Sequence, residues 1–378
     1  QSASAMPRRR MDTFRVIRPL VFVLFFNSAL LIESSNNGTE LFNLRIVHNN
    51  DFHCYYDGIA KYALLCDDKK PENCYGGITR FQYLAKQKKN ETNTIFLNAG
   101  DNFHGSAYYK LFKWGIVANM TKHLPLDAMS LGNHEFDDEP KDLIKFLKFV
   151  NNIPCVCANI NASKDPELEA LINKSVILNV GGKRIGVVGY VTADTVTLSR
   201  PGPNITFTDE IDAVRQEAKR LRDSELADII IALGHSGYPK DLEIAEKVEE
   251  IDVVVGGHSN TFLYTGTPPI SNWPKVEGLY PTMVKQSASN KTVPVVQAYA
   301  YGVFLGDLDL TFDNKTNKLL NATGNPILIN HTTPEDQAMK AIFQYYKDQF
   351  EKIVNVTVGQ TSLMLEGGDV CRLRECGG

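Results

Sequence analysis

Residues 128–137 read AMSLGNHEFD: a short apolar run, a glycine, then Asn133 and His134. Working outward, four more stretches have the same form. LRIVHNNDFH (44–53) closes on Asp51 and His53, TIFLNAGD (94–101) on Asp101, DIIIALGH (228–235) on His235 and IDVVVGGH (251–258) on His258. Runs this short and this rich in Ile and Val predict strands buried on both faces. Each run delivers a polar donor where its strand ends.

The segments between these runs change period. GGITRFQYLAKQKK (76–89), DEPKDLIKFLKFVNN (138–152) and DEIDAVRQEAKRLRD (209–223) have helical character. Strands alternating with helices predict an α/β layered protein. Such folds place their sites at the carboxyl ends of the strands. Near the end, TTPEDQAMKAIFQYYKDQFEKIV (332–354) predicts one long helix. Thr333 is its expected cap, with Pro334 in the first turn and Asp336 completing a capping-box-like pattern. Met339, Ile342, Phe343, Tyr346, Phe350 and Ile353 form its apolar stripe. A helix placed there can connect two domains.

Composition limits the function classes. The chain has 378 residues, 43% apolar and 22% charged, with a formal net charge of -4. No long basic stripe points to a nucleic-acid partner. Arg8, Arg9, Arg10, Arg15 and Arg18 precede an apolar run from Leu20 to Ile32 and then a polar stretch. That order predicts a secretory signal, with an uncleaved N-terminal anchor as the alternative, and the apolar core is short for a membrane span. Acceptor patterns for N-glycosylation occur at Asn37, Asn90, Asn119, Asn161, Asn173, Asn204, Asn290, Asn314, Asn321, Asn330 and Asn355. So many in one chain support export, and a glycan requires a surface site. The seven cysteines cannot all pair within the chain. Cys66–Cys74 and Cys371–Cys376 have the look of small-loop disulfides, whereas Cys155 and Cys157 suit buried free thiols.

The strand-end donors suggest a chemistry. Asp51 and His53, two apart in an extended segment, are expected to point the same way and to grip one cation. Asp101 can bridge two cations. Asn133, His235 and His258 add an amide oxygen and two imidazoles. This mixed nitrogen and oxygen set suits two divalent ions, with zinc or manganese more natural than calcium. A single such histidine is more often a core group making one hydrogen bond; the joint pattern is not explained that way. His134, next to Asn133, is expected to face the substrate, with Asp137 fixing its tautomer. His48, His104, His123 and His331 receive no role.

The ordered motifs NDFH, GDNFHG, GNHEFD, LGHSGY and GGHSNTFL resemble those of the metallophosphoesterase superfamily. VVVGGHSNTFLYTG, VPVVQAYAYG, GNPILIN and CRLREC resemble more narrowly the ecto-5'-nucleotidases and salivary apyrases. The resemblance covers about residues 41–378. It implies a four-layer α-β-β-α catalytic domain, then a bridging helix and the start of a second α/β domain. It implies two divalent metal ions, zinc first, with manganese, magnesium or calcium as alternatives. The metal ligands would be Asp51, His53, Asp101, Asn133, His235 and His258. The catalytic pair would be His134 and Asp137, and the substrate contacts Arg372 and, more weakly, Asn260, whose position serves one metal as Gln in some bacterial relatives. Both disulfides also fit the family.

The expected organisation is a signal peptide and leader over 1–35, the catalytic domain over 41–332, the helix over 333–355 and the start of the second domain over 356–378. The expected function is extracellular hydrolysis of nucleoside 5'-monophosphates, AMP above all. An apyrase acting on ATP and ADP is the alternative, and a non-catalytic secreted binder the alternative of another class. Family members continue past CRLREC. The resemblance therefore implies that the domain holding the base is missing, that preference for AMP is weak, and that Ile342, Phe343, Tyr346 and Phe350 are exposed.

Overall fold

The computed structural model describes residues 40–354 apart from 68, together with 356 and 359. In chain order the main strands are β1 (Leu41–Asn49), β2 (Thr94–Asn98), β3 (Ala128–Ser130), β4 (Cys155–Val156), β5 (Ser175–Val180), β6 (Lys183–Val191), β7 (Ile229–His235), β8 (Val253–Val255), β9 (Thr282–Lys285), β10 (Thr292–Val296), β11 (Phe304–Asp313) and β12 (Leu319–Gly324). The main helices are α1 (Ile78–Lys89), α2 (Ala107–His123), α3 (Glu139–Phe149), α4 (Glu210–Asp223), α5 (Tyr238–Lys247) and α6 (Gln337–Val354).

Two sheets result. The first runs β12-β11-β1-β2-β3-β4, and the second β9-β10-β8-β7-β6-β5. Parallel strands run from β1 to β4 in one sheet and through β6, β7, β8 and β10 in the other. Antiparallel strands lie beyond β1 in the first sheet and on both sides of the parallel strands in the second.

Alternation within the apolar runs builds four layers. In β7, Ile229, Ile231 and Leu233 face the core between the sheets, while Ile230 and Ala232 face the helices. In β1, Leu44 and Ile46 point between the sheets and Val47 points to the outer helices. Successive side chains of a strand take opposite faces, so a continuous apolar run is what a strand covered on both faces requires. Helices α1, α2, α3 and α6 cover the first sheet, and α4 and α5 the second. Removing the side chain of fully buried Ile231 to Ala would cost about 2–5 kcal/mol. The α-β-β-α expectation holds.

The last helix differs from expectation in two respects. It begins at Gln337, and its cap is Asp336, whose Oδ1 accepts from the Met339 N–H at 2.8 Å. The Thr333 hydroxyl instead accepts from the Asn330 N–H at 3.3 Å. An aspartate at the cap position is as good as a threonine, and the pattern contained both. The apolar stripe is also not exposed as a whole. Met339, Phe343 and Tyr346 are buried, with Ile342 and Phe350 packed beside them against α1 and α2. Only Ile353 stands clear, at 53% exposure. Helices α1 and α2 supply the apolar partner.

Cys66 and Cys74 are disulfide-bonded, and Cys155, Cys157 and also Cys54 are buried free thiols. Each described glycosylation-type asparagine has some solvent access. Asn119, however, already donates its amide to the Tyr346 hydroxyl beneath α6. Among the described residues no helix is long and apolar enough to cross a membrane. The leader 1–35, Arg372, the Cys371–Cys376 pair and nearly all of 356–378 lie outside the described residues.

Candidate active site

The parallel strands end together, and the loops after β1, β2, β3, β7 and β8 converge. Asp51 and His53 do not lie in extended chain, as the sequence suggested. β1 stops at Asn49, and Asp51 and His53 have φ of 51° and 50°. Asp101 (54°), His258 (78°) and Asn260 (52°) share this left-handed conformation. Non-glycine residues held this way cost about 1–3 kcal/mol each and persist where the surroundings over-determine them. Here hydrogen bonds hold the turns: Asp51 N–H to the Gly100 carbonyl at 3.0 Å, His53 N–H to the Asp101 carbonyl at 3.0 Å and Tyr301 N–H to the Asp51 carbonyl at 2.8 Å. The loops also pass very close to one another. A Cβ on Gly257 would stand 2.7 Å from His235 Nδ1 and 2.9 Å from the Ala99 carbonyl, and one on Gly132 would collide with Asp101 Oδ1.

The donors meet around Asp101. Its Oδ2 lies 2.8 Å from His235 Nε2 and 3.8 Å from His53 Nε2. Asp51 Oδ1 lies 3.6 Å from His53 Nε2 and 3.8 Å from His235 Nε2. Ligand atoms of Asp101, His235 and His258 fall within 4.8 Å of one another, as do those of His53, Asp101 and His134. Asp101 belongs to both groups. The backs of the ligands are fixed: His235 Nδ1 sits 2.7 Å from the Ala99 carbonyl and His53 Nδ1 3.2 Å from that of Phe103. Asp51 Oδ2 accepts from Asn50 Nδ2 at 2.7 Å and from the His258 N–H at 2.9 Å.

Asp51 Oδ1, Asn133 Oδ1 and Asn260 Oδ1 are buried without a hydrogen-bond partner among the described residues. Buried polar atoms are almost always paired, so three unpaired ones on converging loops fit a cation-binding cradle. The electrostatics agree. Burial works to raise the Asp101 carboxyl, but His235 and His53 hold it below the usual carboxylate range. Burial works to lower His235, and Asp101 with Asp51 pushes it up to about 10. The buried carboxylates demand positive charge at the point where a metal would supply it.

His134 stands beside this cradle with its Nδ1 2.6 Å from Asp137 Oδ2. Burial lowers its pKa, and the hydrogen bond to Asp137 with the nearby Asp101 charge outweighs that, raising it to about 9. The rings of His53 and His134 lie 5.3 Å apart.

Three residues of the site had no predicted role. His104 stacks on His134 at 5.1 Å and 12°, and its Nδ1 is 3.2 Å from the same Asp137 Oδ2. Glu135 is buried and takes four backbone N–H donors, from Gly132, Asp101, Asn102 and Phe103. Asn50 joins Asp51 to the Ala298 N–H. The acidic residue inside GNHEFD and the doubled asparagine of HNND were the available signals, and neither reveals a partner distant in sequence.

Residues 44–262 match the model of the calcineurin-like phosphoesterase family. The chain is 40% identical over 338 residues to the 5'-nucleotidase of Mus musculus, covering 88% of this chain and 57% of that protein. It is 37% identical to an apyrase of Tabanus yao, covering 91% of this chain and 61% of the relative. Among solved structures, the 5'-nucleotidase precursor of Thermus thermophilus superposes with a TM-score of 0.76 at 32% identity, covering 84% of this chain and 61% of that one. The chain thus spans about three-fifths of the length of the relatives it matches.

Proposed function

Because the chain belongs to the calcineurin-like phosphoesterase family, we propose that its site hydrolyses nucleoside 5'-monophosphates, AMP first, to nucleoside and phosphate outside the cell. The observation that carries this reading is the position of Asp101, whose Oδ2 lies 2.8 Å from His235 Nε2 and 3.8 Å from His53 Nε2, beside the His134–Asp137 pair. The family uses a dinuclear metal centre, and the donors here fit one. Asp51, His53, Asp101, Asn133, His235 and His258 would hold two divalent cations, zinc first, with Asn260 a weaker candidate. When bound, such ions polarise phosphoryl oxygens and make water acidic enough to attack near neutral pH.

The chain's own groups do the rest. Asp137 holds the proton of His134 on Nδ1, which leaves Nε2 to face the substrate. The hydrogen bond to Asp137 favours the charged form of His134. His134 can donate a hydrogen bond to a phosphoryl oxygen or a proton to the departing alkoxide. The left-handed loops keep the ligand atoms in place before substrate arrives, so little reorganisation remains at the moment of reaction.

The apyrase relative favours a second reading, hydrolysis of ATP and ADP. Both are tested by purifying the full chain, measuring bound metal, and following phosphate release from AMP, ADP and ATP side by side. Two metal equivalents with release from AMP alone support the first reading. Release from ADP and ATP supports the second. No metal and no release from any of the three would leave only a binding protein on this fold.

A further inference from the structure

Asp137 has two oxygens, and only Oδ2 serves His134. Oδ1 accepts from the Ser199 hydroxyl at 2.7 Å. The two partners reach Asp137 from different halves of the molecule. His134 follows β3 in the first sheet, and Ser199 follows β6 in the second. The segment after β6 is tied down step by step. Thr192 N–H donates to the His235 carbonyl at 2.9 Å, and the Thr195 hydroxyl to the Thr192 carbonyl at 2.7 Å. Ser199 N–H closes the short helix Thr195–Leu198 on the Thr195 carbonyl at 3.1 Å. Residues 196–198 and Arg200 are exposed, yet Ser199 turns inward and is half-buried.

We propose that Ser199 is a positioning residue, whose hydroxyl locks the Asp137 carboxylate so that its other oxygen stays closest to His134 and orients it. The proposal rests on the phosphoesterase reading given above. A carboxylate turns readily about its terminal bond. In the observed rotation Oδ2 is nearer His134 Nδ1, at 2.6 Å, than His104 Nδ1, at 3.2 Å, and a turn of the carboxylate would change that balance. With Oδ1 fixed by Ser199, Oδ2 stays on the His134 side, 2.6 Å away. Without the hydroxyl, the carboxylate is free to turn toward half-exposed His104 and water, and His134 loses its fixed tautomer. The anchor of Thr192 on the His235 backbone makes this restraint part of the same framework that carries the donor cluster.

The test compares Ser199→Ala, Ser199→Thr and Asp137→Ala in the metal-loaded full chain, using AMP and p-nitrophenyl phosphate. Ser199→Ala should lower kcat roughly tenfold, as expected for loss of a hydrogen bond to a charged group, with KM, metal content and Tm little changed. Ser199→Thr should restore most of the rate. In an Asp137→Ala background, Ser199→Ala should do nothing further. Parent-like kcat in Ser199→Ala, or an equal drop in the Asp137→Ala background, would overturn the proposal. A crystal structure of Ser199→Ala decides it without activity: Asp137 should leave His134, and an unchanged 2.6 Å pair refutes it. A parent chain that hydrolyses neither ester counts against the proposed function, while the crystal structure still decides the role of Ser199.

Discussion

Glu135→Gln is predicted to be the most damaging near-isosteric change in the site's framework. Glu135 is 1% exposed. Its Oε2 accepts from the N–H groups of Gly132 at 2.6 Å and Asp101 at 2.9 Å. Its Oε1 accepts from Asn102 at 2.7 Å and Phe103 at 3.2 Å. One carboxylate therefore ties the loop carrying Asp101 to the loop carrying Asn133. A glutamine keeps only one oxygen, so two of these donors would face an NH₂ group. Each buried donor left unpaired costs about 1–3 kcal/mol, which gives about 2–6 kcal/mol. Burial and the nearby Asp101 charge raise the Glu135 pKa, so removing the charge returns part of this and favours the lower half of the range. Even that half is a large fraction of the ~5–15 kcal/mol that holds a typical domain together. The assay is urea unfolding of the metal-free parent and variant, so that metal binding does not enter the difference, followed by metal titration of each. A loss below about 1 kcal/mol with an unchanged denaturant slope would refute the reasoning. Parent-like metal affinity would show that the two loops do not depend on Glu135 for their alignment.

Three further outcomes are expected. Asp101→Asn should reduce metal content at both positions and nearly abolish phosphate release, because one carboxylate reaches both His53 and His235; full metal content with normal turnover would remove it from the mechanism. His134→Ala should leave metal content intact while kcat falls roughly 10²–10⁴-fold; loss of a metal equivalent would instead make His134 a ligand. Acid should destabilise the fold through His48. It is fully buried, its Nε2 is 2.8 Å from the Tyr280 hydroxyl, and burial pushes its pKa down to about 3. Between that value and the ordinary 6.5, the unfolded chain binds a proton at His48 and the folded chain does not. Stability therefore falls as pH falls through this window, by up to about 1.4 kcal/mol per pH unit. Urea unfolding of the parent and His48→Gln between about pH 7 and pH 5 checks it, since the variant should lose less; equal losses would clear His48 of the effect.

The particular residues show why some features were legible and others not. The run IIIALGH declared a strand covered on both faces, because period-2 alternation forces its side chains into two different cores. Ser199 carried no such signal. A serine among exposed loop residues gains a role only when a carboxylate 62 positions away is brought to it. His104 was passed over for the same reason, since its neighbour Asp137 lies on another loop. The stripe of α6 was correctly identified as apolar, but a sequence pattern does not name the surface that covers it.

The sequence by itself determined the layers and the kinds of donor at each strand end. These follow from local properties: the order of apolar and polar residues and the chemistry of individual side chains. Tertiary structure decided how the donors are aimed. Asp51, His53, Asp101 and His258 converge through left-handed turns rather than strand alternation. Those turns hold only because other loops hydrogen-bond to them, as Gly100 does to Asp51 and Asp101 to His53. Likewise, the face of Asp137 that reaches His134 is set by a hydroxyl from the opposite sheet's connection. A local pattern encodes which way a strand turns its side chains. A strained backbone at a strand end is stabilised by contacts between segments far apart in the chain, and only the folded chain brings those together.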